Sequence, residues 1–338
     1  MVYEYANRFA DDGFSVAIYY DNSKVMTKYK IPILLKKLII KILTQISPRW
    51  MYLNPKVKKV SSTDFGLERF YNNIDFVIAT GAGTVDVALE LFKNSKKYYF
   101  IQDFEADQNK ESWDIFEEQL FKTYDSGLIN ITVSKWLKDI VDQHSTKEST
   151  YIRNPISLES YRVKTPIEDR DRNKIGMLYH NSPRKGCKYT LLALEKVKKD
   201  FPNIKVVMFG ACPPPESLPD WITYYENATQ EQTIDIYNSI SIFVSGPIKE
   251  GFGLTGLEAM ACGAALISSN NLGAMEYAEN NRNSLLSSIK DVNGMKKNIE
   301  ELLMDDRKRI KLAKQGVETA KGYSWDKAYS KFKKVLLG

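Results

Sequence analysis

The sequence predicts an α/β protein built as two blocks, each an open parallel sheet with helices on both faces. Three observations predict it. Short apolar runs alternate with amphipathic helical stretches along most of the chain, as parallel strands joined by crossover helices require. Two strand–glycine loop–helix corners occur, at Gly81–Ala82–Gly83–Thr84 and at Glu250–Gly251–Phe252–Gly253. At 338 residues the chain is long enough for two hydrophobic cores.

Composition narrows the function classes. Apolar content of 43% with 27% charge is that of a soluble globular chain rather than a disordered or membrane-embedded one. Cys187, Cys212 and Cys262 are odd in number and unpaired in spacing, which argues for a reducing compartment and against a disulfide framework. His144 and His180 are the only histidines, too few for a histidine-rich metal site. The sequence has neither a signal-peptide pattern nor an apolar run long enough to span a bilayer, so a cytoplasmic protein is expected.

Taken in order, Val2, Tyr5, Ala6 and Phe9 share a helical face, Gly13 ends that helix, and Phe14–Tyr20 reads as a strand. An open parallel-sheet domain ordinarily starts with a strand and a glycine turn, so the first strand of this block is expected to be missing. Between Asn22 and Thr63 there is no acidic residue, against nine lysines and Arg49. Within this stretch Leu35, Leu38, Ile39, Ile42, Leu43 and Ile46 share one side of a helix, with Lys36, Lys37 and Lys41 on the other. Ile33, Leu34 and Ile40 add apolar surface beyond one packed stripe. The stretch 24–50 therefore suits peripheral contact with an anionic membrane surface, a core helix with a basic exposed face being the alternative. Nucleic acid is not expected: the run lacks interleaved aromatic platforms and the net charge is only +6.

Asp75–Thr80 is a strand leading into the Gly81–Gly83 corner and a helix through Phe92, and Lys97–Ile101 is the next strand. Side chains at the carboxyl ends of parallel strands point into the ligand crevice, which makes Asp103 and Glu105 candidates for binding acceptor hydroxyls, with Gly81 and Gly83 beside them. The same Asp-x-Glu could imitate a metal-binding carboxylate pair, or serve as a helix N-cap. Trp113–Phe121 is helical, Leu128–Val133 is a strand, and Ser134 is placed to cap the helix Lys135–Gln143. After the short strand Tyr151–Arg153, the charged, proline-containing run to Asn173 reads as a linker.

Ile175–Tyr179 opens the second block. The turn Ser182–Pro183–Arg184–Lys185–Gly186 follows, then a helix bearing Leu191, Leu194, Val197 and Phe201. Adjacent cations just before a helix N-terminus oppose the helix dipole, so an anion is expected there. Ile204–Gly210 and Ile222–Tyr225 are strands, and a helix starts near Thr229. The stretch from Ser241 to Glu276 organises the rest. Ile242–Val244 is a buried strand, Leu254 starts a helix carrying Leu257, Met260 and Ala261, and Ala264–Ile267 is a second buried strand. Glu250 and Glu258 flank the glycine loop with seven residues between them. Loop N–H groups can bind an anion while the carboxylates accept hydroxyls, which suits a ligand that is phosphate at one end and polyhydroxyl at the other.

Glu250, Gly251–Phe252–Gly253, Glu258, Gly273 and Glu276 together resemble the donor-binding signature of retaining glycosyltransferases with two Rossmann-like domains, family 4 (group 1). The resemblance implies the type-B glycosyltransferase (GT-B) fold, two Rossmann-like domains facing across a cleft. An acceptor-side domain would cover 1–156, with a terminal helix at 323–338 crossing back to it, and a nucleotide-sugar domain 157–322. It implies that Lys185, helped by Arg184, stabilises the leaving diphosphate together with the N–H groups of Gly251, Phe252, Gly253 and Leu254. Glu258 would take the ribose hydroxyls and Glu250 the donor sugar, with Ser182 and Tyr225 nearby. Tyr179 stands where the family commonly has an arginine, and the family's acceptor-side histidine is absent at Gln102–Glu105. The implied reaction needs no cofactor and no metal. It moves a hexose or deoxyhexose, as in rhamnosyltransferase-like members, from a nucleotide-diphosphate sugar to a saccharide or lipid-linked acceptor for surface polysaccharides, at the inner face of the plasma membrane. A non-catalytic GT-B partner of another glycosyltransferase is the alternative.

Overall fold

The computed structural model describes residues 1–22, 26, 32–48, 51–108 and 113–338, without the side chains of 107–108 and 113–116. It forms two compact units. The first contains Met1–Thr132, Ile140–Thr150 and Tyr329–Gly338, and the second contains Val133–Asp139 and Tyr151–Ala328. Against the expected boundaries, 133–139, 151–156 and 323–328 group with the second unit.

In the first unit, α1 (Val2–Asp11) leads to β1 (Ala17–Tyr20), α2 (Ile33–Ile46), β2 (Lys58–Ser61), α3 (Leu67–Asn72), β3 (Phe76–Ala79), α4 (Val85–Leu91) and β4 (Lys96–Ile101). Then come α5 (Trp113–Tyr124), β5 (Ile129–Thr132), α6 (Lys135–Gln143) and β6 (Thr150–Tyr151). Strands β3, β4, β5 and β6 form one sheet in that order, and β1 pairs with β2 in parallel. In β4, Tyr98, Tyr99, Phe100 and Ile101 are all buried. A continuous apolar run of this kind marks a strand covered on both faces. Tyr5, Phe9 and Phe332 pack together, with Phe100 against both Tyr5 and Phe332.

The packed side of α2 differs from the expectation. Ile40 and Thr44 are its buried residues, one turn apart, while Leu35, Leu38, Ile39, Ile42, Leu43 and Ile46 are all exposed. Lys24, Lys28, Lys30 and Arg49 of the basic stretch lie outside the described residues. No helix among the described residues is long and apolar enough to cross a membrane.

The second unit continues with β7 (Lys174–Leu178), α7 (Cys187–Asp200), β8 (Lys205–Gly210), β9 (Ile222–Glu226), α8 (Gln230–Ser239), β10 (Ile242–Ser245), α9 (Leu254–Ala261) and β11 (Ala265–Ser269). It goes on to β12 (Ser284–Ser287), α10 (Val292–Met304) and α11 (Asp306–Ala320), and the last helix is α12 (Trp325–Leu337). Helices α6 and α12 are divided, with 135–139 and 325–328 in the second unit and the rest of each in the first. Its six strands are parallel in the order β12-β11-β10-β7-β8-β9. The core joins Ile175, Met177, Val206, Met208, Val244 and Ile267 from the strands to Leu194, Val197, Ile299 and Leu302 from the helices.

The expected linker is not loose. Ile167 and Arg170 are buried, and the Arg170 guanidinium donates to the carbonyls of Thr165, Tyr237, Ile240 and Cys262. Ser134 does not cap α6 with its hydroxyl, which is buried without a partner among the described residues. Glu276 does this instead, its Oε1 accepting the Lys135 N–H at 2.5 Å while Oε2 accepts the Tyr151 hydroxyl.

Candidate functional site

The strand order of the second unit reverses direction between β10 and β7, which are neighbours at its centre. Crevices for ligands form at the carboxyl ends of strands at such a switch point. Two loops leave those ends: Tyr179–Gly186 after β7, and Gly246–Gly253 after β10. They press together. Gly186 is left-handed at φ 59°, and a Cβ on it would lie 1.8 Å from the Gly246 carbonyl oxygen. The Ile248 N–H donates to the Arg184 carbonyl at 2.7 Å. This contact brings the Lys185 ammonium onto Glu250, where it donates to both carboxylate oxygens at 2.9 Å. Both side chains are partly buried.

The Glu250 loop is braced from three directions. Trp136 Nε1 donates to the Gly251 carbonyl at 3.0 Å, and the Tyr277 hydroxyl donates to the Gly253 carbonyl at 2.5 Å. Gly273 approaches so closely that a Cβ there would sit 2.5 Å from the Glu250 carbonyl oxygen. The turn bearing Gly273 is itself fixed by Asn271, whose Oδ1 accepts the Ala274 N–H while its amide donates to Ser269. The Phe252 ring is buried against Tyr277 and Tyr323, so only its backbone can serve a ligand. Gly253 is the N-cap of α9. Among the described residues no acceptor is paired with the N–H groups of Gly251, Phe252, Gly253 or Leu254. The helix dipole adds to their attraction for negative charge.

Glu258 lies on α9, one turn into the helix. The Tyr237 hydroxyl donates to its Oε2 at 3.3 Å, and Tyr161 packs beside Tyr237. Burial pushes the Glu258 carboxyl up to about 7, and the tyrosine hydroxyls offset only part of that. Tyr237 and Tyr161 were not anticipated from sequence, nor was Trp136. Their partners are 21 to 115 residues away, so no local spacing reveals them. His180, also unanticipated, lies two residues past β7; its Nδ1 accepts the Ser182 N–H at 2.9 Å and its side chain is exposed. Ser182 begins the one-turn helix Pro183–Lys185, whose C-terminal neighbour is Gly186. Tyr225 is half exposed on the edge strand β9, two strands away from β7.

In the first unit, the other corner is closed by its own acid. Both Glu105 oxygens accept the Ala82 N–H at 3.0 Å, and the Tyr99 hydroxyl donates to Oε1 at 3.2 Å. Burial, followed by the Asp103 charge, raises the Glu105 carboxyl, while the Ala82 and Tyr99 bonds lower it. A Cβ on Gly81 would touch this carboxylate at 3.5 Å, while Gly83 faces open space. Asp103 accepts the Phe104 N–H at 2.9 Å and is partly exposed. Among the described residues no three His, Cys, Asp or Glu side chains converge as metal ligands. The second unit thus joins one ammonium, two carboxylates and four backbone N–H groups with no acceptor among the described residues at a single helix start, a set able to hold an anion beside a polyol.

Residues 161–319 match the model of the family described as glycosyl transferases group 1. The chain is 31% identical over 113 residues to an N,N'-diacetylbacillosaminyl-diphospho-undecaprenol alpha-1,3-N-acetylgalactosaminyltransferase of Campylobacter jejuni, covering 33% of this chain and 30% of that protein. It is 25% identical over 212 residues to an uncharacterized glycosyltransferase of Methanocaldococcus jannaschii, covering 61% of this chain and 58% of the relative. The chain therefore spans less than two thirds of the length of these curated relatives. Among solved structures, a sucrose-phosphate synthase from Thermosynechococcus elongatus superposes with a TM-score of 0.76 at 15% identity, over 99% of this chain and 91% of the other. The match to the glycosyl transferases group 1 model is confined to residues 161–319, and the solved structure gives the chain the GT-B-type α/β fold of parallel sheets.

Proposed function

We propose that the chain is a retaining glycosyltransferase that moves a hexose or deoxyhexose from a nucleotide-diphosphate sugar to a saccharide or lipid-linked acceptor. The observation that carries this reading is the Lys185–Glu250 pair, 2.9 Å apart at the start of α9, next to the N–H groups of Gly251–Leu254. Negative charge grows on the departing diphosphate, and preorganised donors aimed at growing charge usually supply the largest catalytic effect. Lys185, helped by Arg184, and the N–H groups of Gly251–Leu254 have that task. Glu250 holds hydroxyls of the donor sugar and faces the anomeric carbon as positive charge develops there. Glu258 accepts the ribose hydroxyls. The departing phosphate takes the acceptor's proton on the same face, so this reading requires neither a separate base nor a metal.

Glu105 is committed to the Ala82 N–H, so the acceptor-hydroxyl role falls first to Asp103, which is partly exposed. The Campylobacter relative is named for a diphospho-undecaprenol-linked acceptor, which favours a lipid-linked saccharide here and a working place at the cytoplasmic membrane face, with contact through 24–50.

A thermal-shift screen of nucleotide sugars identifies the donor, after which turnover is compared between the natural chain and Lys185→Ala. The expected result is a loss of roughly 10²–10³-fold in kcat with an unchanged melting temperature. If the natural chain binds and turns over no nucleotide sugar, the assignment fails and the non-catalytic partner takes its place.

A further inference from the structure

We propose that the outer face of α2, together with Phe65, is a docking surface for an anionic lipid bilayer. It extends the lipid-linked acceptor of the preceding section, yet it stands on the helix itself. Ile40 and Thr44 hold α2 against the first unit. At roughly 100° per residue, the arc opposite Ile40, from Leu34 round to Ile39, carries Leu34, Leu35, Leu38, Ile39, Ile42 and Ile46, with only Gln45 among them. All six are exposed, from 40% at Ile39 and Ile46 to 81% at Leu34. A soluble monomer rarely leaves a contiguous apolar patch larger than about 300–600 Å² in water. Here the patch runs the length of a 14-residue helix.

Charge names the occupant. Lys37 and Lys41 border one edge of the apolar arc and Lys36 the other, where their stems can lie along the aliphatic surface while the ammonium groups reach outward. Lys37 Nζ lies 4.9 Å from the ring centre of Phe65, which is 89% exposed just beyond β2 and places an aromatic side chain at the same border. Lys56 and Lys58 are exposed nearby, and no acid occurs between residues 22 and 63 to neutralise them. A second copy packing on this face would set two cationic borders against each other, so self-association is disfavoured. Roughly 21 Å of helix cannot cross a bilayer core of about 30 Å. An apolar face flanked by lysines fits a helix lying in the plane of an anionic membrane surface.

The test is cosedimentation of the full chain with vesicles of phosphatidylcholine, with and without phosphatidylglycerol. The natural chain is expected to pellet with the anionic vesicles at moderate salt and to bind the neutral ones at least tenfold more weakly. Leu38→Glu combined with Ile42→Glu should abolish pelleting while the melting temperature stays unchanged, since neither side chain is packed. Replacing Lys37 and Lys41 by Gln should weaken binding about fivefold per charge. The proposal is overturned if the natural chain ignores anionic vesicles, or if Leu38→Glu/Ile42→Glu binds as well as the natural chain. It is equally overturned if the natural chain is a dimer that this variant splits and lipid binding is absent. Calorimetry of nucleotide binding on the same variants separates the two readings: it should be unaffected by the α2 changes and reports only on the second unit.

Discussion

Glu258 carries a cost that its proposed task explains. Its carboxyl is pushed up to about 7 by burial, whereas in the unfolded chain it titrates near 4.5. Between those values the folded state binds more proton, so stability falls as pH rises through that window. Above about pH 7 the cost of ionising Glu258 in place reaches up to about 3 kcal/mol. Glu258→Gln should therefore raise the melting temperature by roughly 5 °C at pH 8 and leave it unchanged at pH 4.5. The same variant should weaken nucleotide binding, and calorimetry that finds equal affinity removes the ribose role. Gly273 offers a second test of single-atom precision. Gly273→Ala puts a methyl 2.5 Å from the Glu250 carbonyl, so the loop must shift. Turnover should fall about tenfold or more, and an unchanged kcat would mean that Glu250 tolerates displacement. Glu250 and Glu258 were legible because their spacing about one glycine loop is local, and Lys185 because two adjacent cations precede a helix; that the two loops meet, 65 residues apart in sequence, is not written in either. Tyr237, which touches Glu258, was not, because it arrives from another helix on the far side of β10.

At the scale of elements, alternation of apolar runs with helical patterns located most strands within a few residues, since a strand buried on both faces has to be apolar throughout. Two elements misled for physical reasons. The run before Asn173 is charged and contains proline, which reads as a linker, yet Arg170 turns inward to carbonyls 67 to 92 residues away. Replacing it with Ala strands the carbonyls of Tyr237, Ile240 and Cys262 without their donor. Arg170→Ala should cost roughly 3 kcal/mol, measured by chemical denaturation, and a loss below about 1 kcal/mol would mean that water substitutes for the guanidinium. Helix α2 misled about its inner side. Six aliphatic residues on one face look like a core stripe, but the body of the unit takes only Ile40 and Thr44. Periodicity shows that a face is apolar; it does not show what covers it.

The whole chain is two compact units, each with its own parallel sheet. A donor bound at the start of α9 should protect amides of β7, β10 and α9 from hydrogen exchange while leaving those of β4 and β5 unchanged. Protection spread evenly over both units would contradict a binding site built within the second. The class of fold was legible at this scale from length and alternation alone, whereas the division was shifted because 133–139, 151–156 and 323–328 pack by contacts that composition does not reveal. The ion pair between Lys185 and Glu250 has a consequence for selectivity. Each satisfies the charge of the other. A bare nucleoside diphosphate draws off the cation and leaves a carboxylate deserted, whereas a sugar-bearing one supplies both with new company. Under the proposed function the intact donor should consequently bind more tightly than its own leaving group, and the spent nucleotide should depart as ammonium and carboxylate pair again.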